Sequence, residues 1–202
     1  MNPYYSKMTF GLTKNNQLFQ DYSSFTFDHP EVPGKIYNKK NTFKQCVVPL
    51  HYFENEPIEE LIKEYQLRPV IFLIEAGYVY NWHRDSWRNS TFNLMLNDDL
   101  DYLVMFAKDY PDTETAFKIS YTPTVRLVYE EKNFYVLNTQ IPHISINYGS
   151  VNRYLLTLAK YTSEPVVGHY GAVADQTPHL ELIKDLEKRN LILHSNLLLQ
   201  NT

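Results

Sequence analysis

Apolar residues recur at two different periods along this chain, and the change of period divides it. In FENEPIEELIKEYQL, residues 53–67, Ile58, Leu61, Ile62 and Tyr65 fall at helical spacing behind Asn55 as a candidate cap, Pro57 near the first turn and acids early. Downstream the period shortens to two. Runs rich in β-branched and aromatic residues occupy 69–75, 78–83, 91–96, 102–107, 116–121, 124–129, 134–138, 141–147 and 153–161, and turn residues separate most of them. Strands this short, with no helix between them, predict an antiparallel sandwich or barrel, because a parallel sheet needs long crossovers. TPHLELIKDLEKRN, residues 177–190, returns to helical spacing, with Leu180, Ile183 and Leu186 on one face behind Thr177 and Pro178. A C-terminal helix should therefore cover one side of the sheet. Residues 1–52 carry neither period and read as an irregular N-terminal arm with short strands. One domain over 1–202 is expected, with its β core at 65–161.

Composition narrows the picture without changing it. Seventeen tyrosines and eleven phenylalanines against six glycines suit pleated, half-buried surfaces. A formal charge of -4 provides no basic field for a phosphate backbone, which argues against nucleic acid as a partner. Cys46 is the only cysteine, so no intramolecular disulfide and no thiolate metal cluster can form. The opening residues lack the apolar run of a signal peptide, and no stretch reaches the length of a membrane span. A soluble, cytoplasmic protein is expected.

The candidate chemistry sits in YVYNWHRDSW, residues 78–87. On an extended strand, residues i and i+2 share a face, so His83 and Asp85 can offer an imidazole and a carboxylate to one ion while Arg84 points away. A third ligand must come from elsewhere, and His143 is the best placed, on a strand-like run that ends in NYGS. If that turn makes a hairpin, His143 and Arg153 lie nearly opposite each other on neighbouring strands. Two imidazoles and a carboxylate leave about three positions open on an octahedral ion, the arrangement associated with non-haem iron(II) oxygenases. An arginine close by supplies the planar fork that a remote carboxylate of a dicarboxylic acid needs.

Each of these residues has a plainer reading. His-x-Asp alone arises by chance in roughly a third of chains of this composition, and the later His and Arg are what raise it above background. Trp82 and Trp87 bracket the motif and, with Arg84, could line a substrate mouth; tryptophans near a rim more often pack. Arg84 and Arg88 could greet an anionic substrate group, but a solvated turn is the more common role for such a pair. Asn138 and Asn147 could orient the His143 ring or serve turns. His51, His169, His179 and His194 have no carboxylate at ligand spacing and read as surface or capping residues. Asp98, Asp99 and Asp101 read as a hairpin turn, since no glycine or distal glutamate completes a calcium loop. Leu191, Leu193, Leu197 and Leu198 read as a terminal segment folded back on the sheet.

Taken together, His83-x-Asp85, His143 and Arg153 resemble the motif of the 2-oxoglutarate- and iron(II)-dependent oxygenases, most closely their prolyl-hydroxylase-like branch. The flanks carry the resemblance further: Gly77 and Tyr80 ahead of the histidine, Leu96-Asn97 closing the next strand, and Arg153, Thr157 and Tyr161 in RYLLTLAKY. It covers residues 65–161. The resemblance implies a double-stranded β-helix, a cupin-like jelly roll, with His83 and Asp85 near the end of the second core strand, His143 on the seventh and Arg153 on the eighth. It also implies an iron(II)-dependent dioxygenase, a hydroxylase by family habit, that consumes 2-oxoglutarate and dioxygen, releases succinate and CO2, and oxidises an unidentified peptide, amino acid or small metabolite. Where many members carry a tyrosine on the strand after His-x-Asp, this chain has Asn93, Leu94 and Met95, so Asn93 or Met95 would face the cosubstrate. Leu155 stands where others place a serine, and Tyr80 is the candidate replacement hydroxyl. A metal-dependent hydrolase with the same three ligands, or a jelly-roll binding protein without catalysis, are the competing readings.

Overall fold

A computed structural model of the chain describes residues 2–29, 43–85, 87–97, 102–107, 124–129, 132–162 and 175–193. Within them lie ten strands: β1 (Tyr5–Gly11), β2 (Lys44–Val47), β3 (Arg68–Ile74), β4 (Val79–His83), β5 (Ser90–Met95), β6 (Tyr102–Ala107), β7 (Thr124–Val128), β8 (Asn133–Asn138), β9 (His143–Asn147) and β10 (Arg153–Ala159). The helices are α1 (Leu18–Asp21), α2 (Glu59–Tyr65) and α3 (Thr177–Lys188). The strand expected at 116–121, the turn with Asp98, Asp99 and Asp101, and His169, His194, Leu197 and Leu198 all fall outside the described residues.

The strands form two antiparallel sheets, one ordered β1-β8-β5-β10-β3-β2 and the other β4-β9-β6-β7. Counting β3 to β10 as eight core strands, each sheet draws alternately from the two halves of the chain, which is the double-stranded β-helix. His83 then lies on the second core strand, His143 on the seventh and Arg153 on the eighth.

The larger sheet is covered on both faces, and period-two alternation sorts its side chains. Phe92, Leu94, Leu156 and Leu158 turn outward to pack with Leu18, Phe53, Ile58, Leu61, Ile183 and Leu186 of the helices and arm. Met95 and Leu155 turn inward with Ile74, Tyr102, Val104, Phe106 and Leu137 to line the space between the sheets. Covering both faces explains why β5 and β10 are buried along nearly their whole length. β1 adds an edge to the larger sheet at Gly11, where a Cβ would collide with the Lys132 carbonyl at 1.5 Å, so only glycine permits the approach.

Three local expectations are corrected. Asn55 does not cap α2 through its side chain: it takes a left-handed φ of 62°, and its backbone N–H donates to Glu59 Oε2 at 2.7 Å. The buried stripe of α3 is His179, Ile183 and Leu186, with Leu180 only partly buried. NYGS is not a hairpin, because β9 and β10 belong to different sheets. The chain crosses between sheets there, and buried Asn147 makes the corner, its Nδ2 donating to the carbonyls of Ile74 (3.1 Å), Glu75 (2.9 Å) and Val151 (3.0 Å). These bonds stabilise an open corner that a two-residue turn would not need. The expected return of the terminal segment is present at Leu191–Leu193, where Thr9 N–H donates to the Leu191 carbonyl and Leu193 N–H to that of Lys7. Among the described residues no helix is long and apolar enough to cross a membrane.

Candidate metal centre

β4 and β9 pair so that His83 stands opposite His143, while Tyr80 stands opposite Ser145. Three residues on β4 thus span what two span on β9, and the extra residue is a β-bulge. It has a direct consequence for the site. On an unbroken strand Tyr80 and His83 would face opposite sides, whereas here both border the same pocket. Asp85 follows just past the strand end, its backbone N–H donating to the Thr139 carbonyl at 3.1 Å.

The structure brings His83, Asp85 and His143 together, with one potential ligating atom from each lying within 4.8 Å of the others. The His83 and His143 rings are 4.3 Å apart between centroids, and His83 Nε2 lies 3.8 Å from Asp85 Oδ1. His143 Nδ1 donates to the Ile141 carbonyl at 2.9 Å, which leaves Nε2 with the free lone pair. Burial pushes the His143 pKa down, partly opposed by Asp85, so the ring is neutral at pH 7 and its lone pair is available. At Asp85 burial acts to raise the carboxyl, but the Arg88 guanidinium, with His143 and His83, overrides it and holds the group at about 2. Two imidazoles, that of His143 neutral, and an ionised carboxylate meet here, a donor set that suits a divalent first-row metal.

The group opens on a pocket of about 90 Å³ between the sheets. Phe43, Phe72, Ile74, Tyr78 and Tyr80 border it on one side, and Thr91, Asn93, Tyr102, Ser145, Leu155 and Thr157 lie further round its wall. Thr91 Oγ1, Asn93 Oδ1 and Thr157 Oγ1 are buried and make no hydrogen bond. These three belong together, because Thr157 pairs directly with Asn93 and Thr91 is two residues along the same strand. A buried polar atom left unmet costs about 1–3 kcal/mol, so three on one patch of wall mark a place for a polar ligand.

The remaining predicted residues are placed as follows. Tyr80 borders the pocket with its ring centroid 4.0 Å from that of His83. Asn93 borders it and donates through Nδ2 to the Tyr129 hydroxyl at 3.1 Å. Met95 is buried in the interior cluster and does not reach the pocket wall. Arg153 is fully buried, on the same face of β10 as Leu155 and Thr157, and pairs across the sheet with the pocket residue Ile74. It is not opposite His143 as the hairpin reading expected, since β9 and β10 lie in different sheets, and it is not among the residues bordering the pocket. Trp82, Trp87 and Arg84 are not among the residues bordering the pocket, and Trp87 is 45% exposed. Asn138 and Asn147 serve corners and make no bond to His143: Asn138 donates to the Pro3 carbonyl at 3.0 Å and accepts from Gln140 N–H at 3.1 Å.

Two residues escaped the sequence reading. Arg88 is no solvated turn residue: it borders the pocket and its Nε donates to Asp85 Oδ2 at 2.7 Å. An acid and a base three apart among aromatic residues was the available signal. His179 is no surface residue: it is fully buried, and its Nδ1 meets Ser90 Oγ at 2.8 Å. Nothing in its local sequence distinguishes it.

No protein-family profile matches the chain, and no curated protein matches it. Solved structures do. A non-haem α-ketoglutarate-dependent carbocyclase, SnoK of nogalamycin biosynthesis, aligns with a TM-score of 0.51 at 9% identity over 88% of this chain and 85% of that one. The non-haem α-ketoglutarate-dependent epimerase SnoN of the same biosynthesis aligns at 0.51 and 11% identity, over 78% and 77% of the two chains. A Trichoplax adhaerens prolyl hydroxylase, in complex with a hypoxia-inducible-factor oxygen-degradation-domain peptide fragment, aligns at 0.50 and 15% identity, over 72% and 74%. The chain therefore has the fold of the 2-oxoglutarate-dependent non-haem oxygenases. α-Ketoglutarate is 2-oxoglutarate under another name.

Proposed function

We propose that this protein is an iron(II)- and 2-oxoglutarate-dependent dioxygenase. The observation that carries the reading is the joint placement of two imidazoles and an ionised carboxylate at a pocket whose wall holds three unmet polar atoms. His83, Asp85 and His143 would hold the iron. Thr91, Asn93 and Thr157, with Arg153 on the same inner face, would receive the polar ends of 2-oxoglutarate, and Tyr80 would complete its surroundings beside His83. When bound, the metal and cosubstrate supply dioxygen-dependent oxidation coupled to decarboxylation of 2-oxoglutarate to succinate and CO2.

The chain's own residues do the rest. The Ile141 carbonyl holds the His143 ring with Nε2 directed away from the backbone. Phe43 packs edge to face against both Phe72 and Tyr80 at the pocket, with ring centroids 4.9 and 5.2 Å apart. The substrate class is a peptide, an amino acid or a small metabolite, and hydroxylation is the favoured outcome. The peptide complex of the Trichoplax enzyme supports a peptide, and the two enzymes of nogalamycin biosynthesis support a small metabolite.

Anaerobic addition of iron(II) and 2-oxoglutarate should give the weak visible charge-transfer band of the chelate, and aerobic incubation should release succinate. Arg153→Ala should weaken 2-oxoglutarate binding without loss of metal. A protein that shows neither band nor succinate, and whose ligand binding ignores Arg153→Ala, is not an oxygenase. Succinate release screened against pools of peptides and metabolites then identifies the substrate.

A further inference from the structure

We infer that Arg88 is a positioning residue that confines Asp85 to a single ligating oxygen. This inference rests on the metal reading above and adds a role for a residue that reading does not use. The two Asp85 oxygens are not equivalent. Oδ1 lies beside His83 Nε2 at 3.8 Å, whereas Oδ2 accepts from Arg88 Nε at 2.7 Å. An untied carboxylate next to a divalent cation can offer both oxygens and occupy two positions. Tied by Arg88, it offers one.

The arithmetic of the site makes this matter. Three protein donors on an octahedral ion leave about three positions, enough for a bidentate acid and dioxygen together. A bidentate Asp85 would leave about two, and one of the co-reactants would be displaced. Arg88 thus preserves the vacancy that the proposed chemistry requires.

Arg88 is built to hold still. Its carbonyl accepts from Thr139 Oγ1 and from Gln140 Nε2, both at 2.8 Å, and the same Gln140 Nε2 donates to the Asp85 carbonyl at 2.9 Å. Thr139 and Gln140 are buried, so the loop between β8 and β9 clasps both ends of the segment that carries the pair. The guanidinium itself lies 5.7 Å from the Phe72 ring and 5.9 Å from the Tyr161 ring, and Nη1 is 3.5 Å from the Tyr161 hydroxyl. The side chain is 17% exposed, so water competes little for the charged bond.

The test uses Mn(II), whose effect on water-proton relaxation counts exchangeable waters on the bound ion. Wild type should show about three, Arg88→Met about two, and Arg88→Lys, which restores a cationic donor, about three again. Arg88→Met retaining the wild-type count would overturn the inference. The wild type supplies an independent measurement should Arg88→Met not fold: with Zn(II) bound, the Arg88 Nε–Hε correlation in an arginine-labelled NMR spectrum should remain in slow exchange. Its loss on Zn(II) addition would also overturn the inference. Failure of wild type to bind Mn(II) would instead sink the metal reading, so the two failures are distinguishable.

Discussion

At Thr157 a single hydroxyl separates two kinds of stability. Buried without a partner, Oγ1 weakens the free protein, and a polar ligand that met it would recover that loss. Thr157→Val keeps the shape and removes the oxygen. The substitution should leave urea stability unchanged or raise it by up to about 1 kcal/mol, while 2-oxoglutarate affinity by calorimetry falls about 10-fold. Equal affinity in the variant would remove Thr157 from the proposed subsite. Asp85→Ala takes away the one ionised donor and leaves Arg88 without its carboxylate. Mn(II) affinity should fall by about 100-fold or more, measured by electron paramagnetic resonance of free Mn(II).

At the scale of the element, α3 is held to the larger sheet by an apolar stripe with a titratable group in it. His179 has its pKa depressed to about 4 by burial, well below its ordinary 6.5. A depressed histidine is neutral in the folded protein and gains its proton more readily when unfolded. Its contribution to stability is therefore present above about pH 6.5 and is lost as pH falls towards about 4. The full shift is on the order of 3 kcal/mol, and about 2 kcal/mol should be gone by pH 5. Urea titrations at pH 7.5 and 5 should show a smaller drop for His179→Gln, which can still bond Ser90 and does not titrate. An identical drop in both proteins would show that this histidine does not carry the dependence. On the same stripe, Ile183 is fully buried, and Ile183→Ala should cost about 2–5 kcal/mol in the same assay.

At the scale of the molecule, metal and fold are linked through the two sheets. His83 and Asp85 belong to β4 and the segment after it, His143 to β9, and the clasp at Thr139 and Gln140 to the loop from β8, which lies in the other sheet. A ligand bound only by the folded protein stabilises it by about 2.7 kcal/mol at 100 times its dissociation constant. Saturating Mn(II) should therefore raise the melting temperature by about 5–10 °C, reversibly on chelation, and His143→Ala should abolish the shift.

How much of this was legible depends on distance along the chain. The amphipathic periods of α2 and α3, the short strands and the antiparallel class follow from backbone sterics and side-chain alternation, which act over a few neighbouring residues. The residue types of the site were equally legible, since only certain side chains can serve as donors to a metal. Tertiary structure decided what depends on the partner. Whether NYGS turns back within a sheet or crosses to the other is set by the closure of the barrel and by the carbonyls that Asn147 finds there. That Tyr80 and His83 share a pocket follows from a bulge defined only by its register against β9. Arg88 became a pocket residue because the fold sets its local pair with Asp85 at the pocket, and His179 a core residue because α3 packs it against Ser90 on the larger sheet. The chain by itself determined which chemistry was affordable, through its periods and its donor types. The closure of two sheets decided which donors meet, because burial and pairing are properties of the whole packing and of no single stretch.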